Sequence, residues 1–96
     1  MKLYINTSDS SHIIVGIGDN RVEKDAKIEK SQMLLSIIDD ELKKIGKTNT
    51  DLKEIEVFLG PGSFTGLRIG VTVANTLGWV LKILVNGKRQ IVEPVY

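Results

Sequence analysis

Gly60-Pro61-Gly62-Ser63 stands between an apolar run, Ile55 to Leu59, and a second one beginning at Phe64. A strand handed over to a helix through glycines aims unpaired backbone N–H groups at one point, which suits a phosphate. Two familiar phosphate loops are excluded by spacing. No Gly-Lys-Ser/Thr follows, and Thr65 occupies the place of the third glycine in Gly-x-Gly-x-x-Gly. The same residues also suit a plain turn, with Pro61 fixing its own φ and Ser63 or Thr65 capping the helix, so both readings stand. Other chemistry is sparse. The loop Asn6-Thr7-Ser8-Asp9-Ser10-Ser11 offers hydroxyls and one carboxylate but no base beside a nucleophile. His12 follows Ser11, yet strand alternation points neighbours to opposite faces, so His12 reads as solvent-facing. With no cysteine and one histidine, disulfides, thiolate catalysis and Cys- or His-rich metal sites are excluded within one chain, and neither metal nor cofactor is expected.

A rarer pattern follows the turn. Gly66, Gly70, Ala74 and Gly78 recur every four residues and line one helical face with almost no side chain. Each mid-helix glycine costs roughly 0.5–1 kcal/mol against alanine, so close packing must offset the loss. The neighbour could be a second helix in a membrane, the chain's own sheet, its first helix or a partner's helix. Ile69, Val73, Leu77 and Val80 form a second row, leaving Arg68, Thr72, Asn75 and Thr76 for water.

The elements that must carry these residues follow from periodicity. Leu3-Tyr4-Ile5, Ile13 to Ile17 and Arg21 to Lys24 read as three antiparallel strands joined by turns rich in Ser, Asp, Asn and Gly. From Ile28 to about Ile45 the period becomes helical through Ile28, Leu35, Ile38, Leu42 and Ile45, with a second apolar edge at Met33, Leu34 and Ile37; Gly46 ends it. Ile55 to Leu59 reads as a strand and Phe64 to Leu81 as a helix. Ile83-Leu84-Val85, Asn86-Gly87 and Gln90-Ile91-Val92 read as a closing hairpin. Strand, helix, strand, helix implies α/β architecture with a mixed sheet and right-handed crossovers.

Ninety-six residues are one domain's length, and 42% hydrophobic with 26% charged residues is an ordinary globular composition. The net charge of +1 supplies no global field for nucleic acid, so any RNA contact must be local or shared with a partner. Met1 to Thr7 turns polar too early for a secretory signal, and the reading is cytoplasmic. Arg68, Asn75 and Lys82 argue against a membrane span over Phe64 to Val85. A domain of this size buries only about 60–65% of its unfolded surface. Two broadly apolar helices are then hard to cover, which predicts another molecule against them.

The run Gly60-Pro61-Gly62-Ser63-Phe64-Thr65-Gly66-Leu67-Arg68-Ile69-Gly70 closely resembles the signature of the TsaB (YeaZ) family. Leu3 to Ser8, Ser31 to Leu35 and Asp51 to Ile55 are similar to that family's first strand, first helix and approach to the glycine turn. The sister family TsaD shares Gly-Pro-Gly but not the residues after it, and needs paired histidines on its first helix that this sequence lacks. The resemblance implies one lobe of the actin/Hsp70-like (RNase H-like) fold. It also implies a non-catalytic role in threonylcarbamoylation of the tRNA adenosine next to the anticodon. In that family the first two helices bind and stabilise a TsaD-like catalytic subunit, a TsaE-like ATPase docks on the pair, and homodimers form through the same helices. Contact with tRNA is then only indirect. Carried over, the interface comprises Met33, Leu34, Ile37, Ile38 and Glu41 on the first helix. On the second it comprises Gly66, Arg68, Ile69, Gly70, Val73, Ala74 and Leu77. Arg68 is expected to meet a carboxylate or backbone carbonyls. Three departures stand out. Asn6 replaces the family's usual aspartate, Lys30 replaces a frequent histidine, and residues 1–96 cover one lobe of two, with 86–96 reading as a remnant of the family's C-terminal segment through Glu93-Pro94-Val95-Tyr96. One lobe supplies one wall of a nucleotide cleft, so a complete ATP site is not expected. The rival reading is a nucleotide- or phosphate-binding protein, or an enzyme, using Gly60 to Ser63.

Overall fold

Alternating apolar and polar residues build a sheet with one greasy and one wet face. A computed structural model describes residues 1–9, 11–25 and 30–95, the side chains of Lys30 and Ser31 excepted. The expectations placed on Ile28 and Tyr96 fall outside what it describes. The strands are β1 (Lys2–Asn6), β2 (His12–Ile17), β3 (Asn20–Asp25), β4 (Glu54–Val57) and β5 (Leu84–Val85), and the helices are α1 (Lys30–Lys44) and α2 (Phe64–Leu81). Their order in the sheet is β3-β2-β1-β4-β5. The first three strands are antiparallel, as their turns predict, and β4 runs parallel to both β1 and β5.

Register decides which face is buried. Leu3 lies opposite Ile17 and Ile55, and Ile5 opposite Val15 and Val57. With Ile13 and Val85 these residues join the buried cluster shared with both helices. The other face carries Lys2, Tyr4, Asn6, Glu54 and Glu56. There Lys2 Nζ meets Glu56 Oε1 at 2.9 Å, and the Arg21 guanidinium stacks 4.4 Å from the Tyr4 ring centroid. Both groups of the ion pair are about half exposed, so it contributes little to stability.

Helix α1 sits on its face differently from the expected stripe. Leu34, Ile38 and Leu42, four residues apart, form its buried stripe together with Ile37, whereas Leu35 is 50% and Ile45 37% exposed. Leu35 lies about 100° round the helix from Leu34, and that rotation carries it out of the core. Gly46 ends α1 at φ +69°: its N–H donates to the Lys43 carbonyl and that of Lys47 to the Leu42 carbonyl.

Helix α2 has the predicted bounds. Ser63 Oγ accepts from the Gly66 N–H at 3.2 Å to cap its start, and Lys82, at φ +58°, ends it with its N–H on the Gly78 carbonyl. The closing hairpin is the main correction to the predicted fold. Asn86 and Gly87 do adopt positive φ, and Val85 and Lys88 exchange backbone bonds across the turn, but residues 90–92 form no strand. Asn75 of α2 holds Val92 instead. Its Nδ2 donates to the Val92 carbonyl at 2.9 Å and its Oδ1 accepts from the Val92 N–H at 3.1 Å. The Val92 N–H is then spent on a side chain and not on a ladder, and Val92 is buried against the core.

Candidate functional site

The glycine turn docks on the end of β1. The Ser63 N–H donates to the Ser8 carbonyl at 2.8 Å, the Gly66 N–H to Ser63 Oγ and the Leu67 N–H to the Ser63 carbonyl at 2.9 Å. A Cβ on Gly62 would come within 2.8 Å of the Ser8 carbonyl oxygen, so only glycine permits this approach. The Gly60–Pro61 peptide is cis, and Gly60, at φ +125°, faces the Val95 carbonyl; the Val95 N–H in turn donates to the Leu59 carbonyl at 2.5 Å. At this turn the Ser63 N–H is thus engaged by Ser8, the Gly66 N–H by the cap and the Leu67 N–H by the first regular helical bond.

Thr7 explains the row of small residues. It is fully buried. Its hydroxyl donates to the Gly66 carbonyl at 2.6 Å and accepts from the Gly70 N–H at 3.1 Å. Those are the two groups that a regular helix turn would pair with each other. A Cβ on Gly70 would collide with this hydroxyl and press on Ile5, and one on Gly78 would collide with Val85. The sheet is therefore the neighbour that the small-residue face requires. Nothing in the sequence marks Thr7 for this part, since it lies in a loop of several similar polar residues.

The carried-over interface residues consequently divide. Gly66, Gly70 and Ala74 are buried within the chain, and Leu34, Ile37 and Ile38 belong to its core. Met33, Ile69, Val73 and Leu77 are half-buried at the core's margin. Glu41 and Ile37 border a hollow of about 420 Å³ with Lys24 of β3, and Glu41 Oε2 accepts from Lys44 Nζ at 2.8 Å. That places Glu41 on the β3 side of α1. On α2, Thr65, Arg68, Ile69, Thr72 and Val73 line a second hollow of about 310 Å³. The exposed Arg68 guanidinium lies 5.4 Å from the Phe64 ring centroid, where a carboxylate or carbonyl was expected.

The polar loop before β2 is tied up locally. Asn6 Oδ1 accepts from the Ser8 N–H and Ser8 Oγ at 3.0 and 2.7 Å. The N–H and hydroxyl of Ser11 both donate to Asp9 and hold its carboxyl below the usual aspartate range. His12 is only half exposed and lies with Nε2 2.8 Å from Asp25 Oδ1. Among the described residues no three His, Cys, Asp or Glu gather to hold a metal, and no helix is long and apolar enough to cross a membrane.

With this geometry established, known proteins can be compared. The family model described as TsaD: tRNA N6-adenosine threonylcarbamoyltransferase matches residues 22–87, which is more than half of the chain. The tRNA threonylcarbamoyladenosine biosynthesis protein TsaB of Bacillus subtilis (strain 168) is 58% identical over 36 residues, 38% of this chain and 16% of that protein. The TsaB protein of Escherichia coli (strain K12) is 41% identical over 49 residues, 51% of this chain and 21% of its own length. Among solved structures, YeaZ from Pseudomonas aeruginosa superposes with TM-score 0.74 at 25% identity, covering 88% of this chain and 41% of the other. A second structure, described as an uncharacterized protein with similarity to peptidase YeaZ from Pseudomonas aeruginosa, gives TM-score 0.75 at 25% identity over 88% and 40%. The chain thus spans about two fifths of these structures, and the matches cover 16% and 21% of the curated relatives. The mixed sheet and its two helices are the actin-like, RNase H-like fold.

Proposed function

The chain belongs to the threonylcarbamoyltransferase family that this model describes, on its TsaB (YeaZ) side, and from that premise we propose that it is a non-catalytic scaffold in the threonylcarbamoyl modification of tRNA. Residues 1–96 correspond to the family's N-terminal lobe, with residues 86–96 standing in for its C-terminal segment. It binds and stabilises a TsaD-like catalytic subunit, a TsaE-like ATPase joins that pair, and the chain pairs with itself when the catalytic subunit is absent. The setting is the cytoplasm.

The observation that carries this reading is the hollow on α2. Its floor is Ile69 and Val73, its rim Thr65, Thr72 and the exposed Arg68. An apolar floor with an arginine at the edge is the composition of a contact centre between proteins. The Ser63 N–H, which donates to the Ser8 carbonyl, supports a structural rather than a catalytic part for that motif.

Gel filtration tests the proposal. The chain mixed with a TsaD-like protein at micromolar concentration is expected to elute as one complex. Arg68→Glu combined with Thr72→Arg is expected to abolish it while circular dichroism stays unchanged, since both side chains are exposed. Separate elution of the parent chain, or a complex untouched by the double change, overturns the assignment.

A further inference from the structure

The far end of α2 differs from everything described so far. Trp79, the chain's sole tryptophan, is 83% exposed, and Val80 beside it is 60% exposed. Trp79 lines a depression of about 760 Å³ together with Lys53, Lys82 and Arg89. It also lines a smaller one of about 70 Å³, which adds Lys88 and Ile91. Four cations therefore share depressions with one bare aromatic ring, and among the described residues no carboxylate lines either of them. Among the described residues none of the four forms an ion pair. Neither Glu54, in register with Leu84, nor Asp51, two residues before Lys53, lines either depression.

We propose that this patch binds single-stranded RNA, with a base stacked on Trp79 and backbone phosphates on Lys53, Lys82, Lys88 and Arg89. The cations come from three places, namely the approach to β4, the end of α2 and the turn after β5. Stacking on an aromatic face with lysine and arginine around it is the common means of holding unpaired bases. With a net charge of only +1, a local cluster is also the way this chain can attract a polyanion. The site replaces the indirect relation to tRNA that the family resemblance implies. The inference rests on the scaffold reading only for the choice of tRNA as the natural ligand.

Trp79 itself supplies the signal for the test. Its fluorescence in the full chain is followed during titration with a short oligouridylate and with an unmodified tRNA transcript, and labelled-RNA anisotropy serves the variants. Saturable quenching is expected, with a slope of about −3 in log affinity against log salt for four phosphate contacts on a single strand. Lys82→Glu with Arg89→Glu should weaken binding more than tenfold. Trp79→Ser should weaken it about tenfold, while Trp79→Phe restores most of the loss. Absence of quenching at low salt overturns the proposal, as does unchanged binding by Trp79→Ser. Equal quenching by polyglutamate of matched charge does so too, and would reassign the patch to an acidic protein. Elution with the TsaD-like protein, measured on the same variants, reports separately on the scaffold reading: RNA binding can fail with the complex intact, or survive without it.

Discussion

The two ends of α2 are built from one pattern and meet opposite fates. At the first, Gly70 lies against Ile5 of β1, and the Thr7 hydroxyl just after that strand bonds to Gly66 and Gly70. At the second, Gly78 rests on Val85, but the next residues, Trp79 and Val80, stand in solvent. The difference teaches that a small-residue row fixes where backbones touch and says little about the residues beside it. The first end has a neighbour of its own. The second presents large apolar surface that the sheet, ending at a two-residue strand, does not reach.

The largest effect is expected at the sealed end. Gly70→Leu forces a side chain into the space of Thr7 and Ile5, and overpacking together with the lost Thr7 bonds should cost about 3 kcal/mol or more. Urea denaturation that leaves the midpoint in place would show that strand and helix do not touch there. Thr7→Val is smaller, because the shape survives and only hydrogen bonds go. Leaving the Gly66 carbonyl and Gly70 N–H without that hydroxyl should cost about 1–3 kcal/mol in the same assay. Smaller again is Asn75→Ala, which releases Val92 at the flank of the open end. It should lower global stability by about 1 kcal/mol and raise amide exchange after Gln90 well above that of the strands. Exchange that stays slow there would show that Val92 is held by its apolar contacts alone.

Much of this was legible in the sequence where local signals agree with packing. The bounds of α2 follow from Ser63 as cap, the apolar period and the glycine turn before it, and three antiparallel strands follow from their turns. Helix α1 was harder. Its apolar residues cover so wide an arc that periodicity does not single out the stripe of Leu34, Ile38 and Leu42, and Leu35 reads as core until the sheet's position is known. The tail failed for a different reason. Asn86-Gly87 makes the turn that its residues demand, but the strand meant to follow loses the Val92 N–H to Asn75, a residue that reads from the sequence as water-facing. At the candidate site, glycines announce close approach without naming the neighbour, and the Ser63 N–H looks available until Ser8 is seen beside it. The cations around Trp79 lie too far apart along the chain to be read as a cluster.

Asn86 does for the sheet edge what more backbone would otherwise do. Its N–H donates to the Ile55 carbonyl, while its carboxamide accepts from the Val57 N–H at 2.8 Å and donates to the Val57 carbonyl at 3.0 Å. A primary amide offers the same donor and acceptor as a peptide group, so one side chain stands in for a missing rung. The polypeptide is thereby released from the plane of the strands one step early. That early departure lets the remaining residues cross over α2 and fasten beside Leu59.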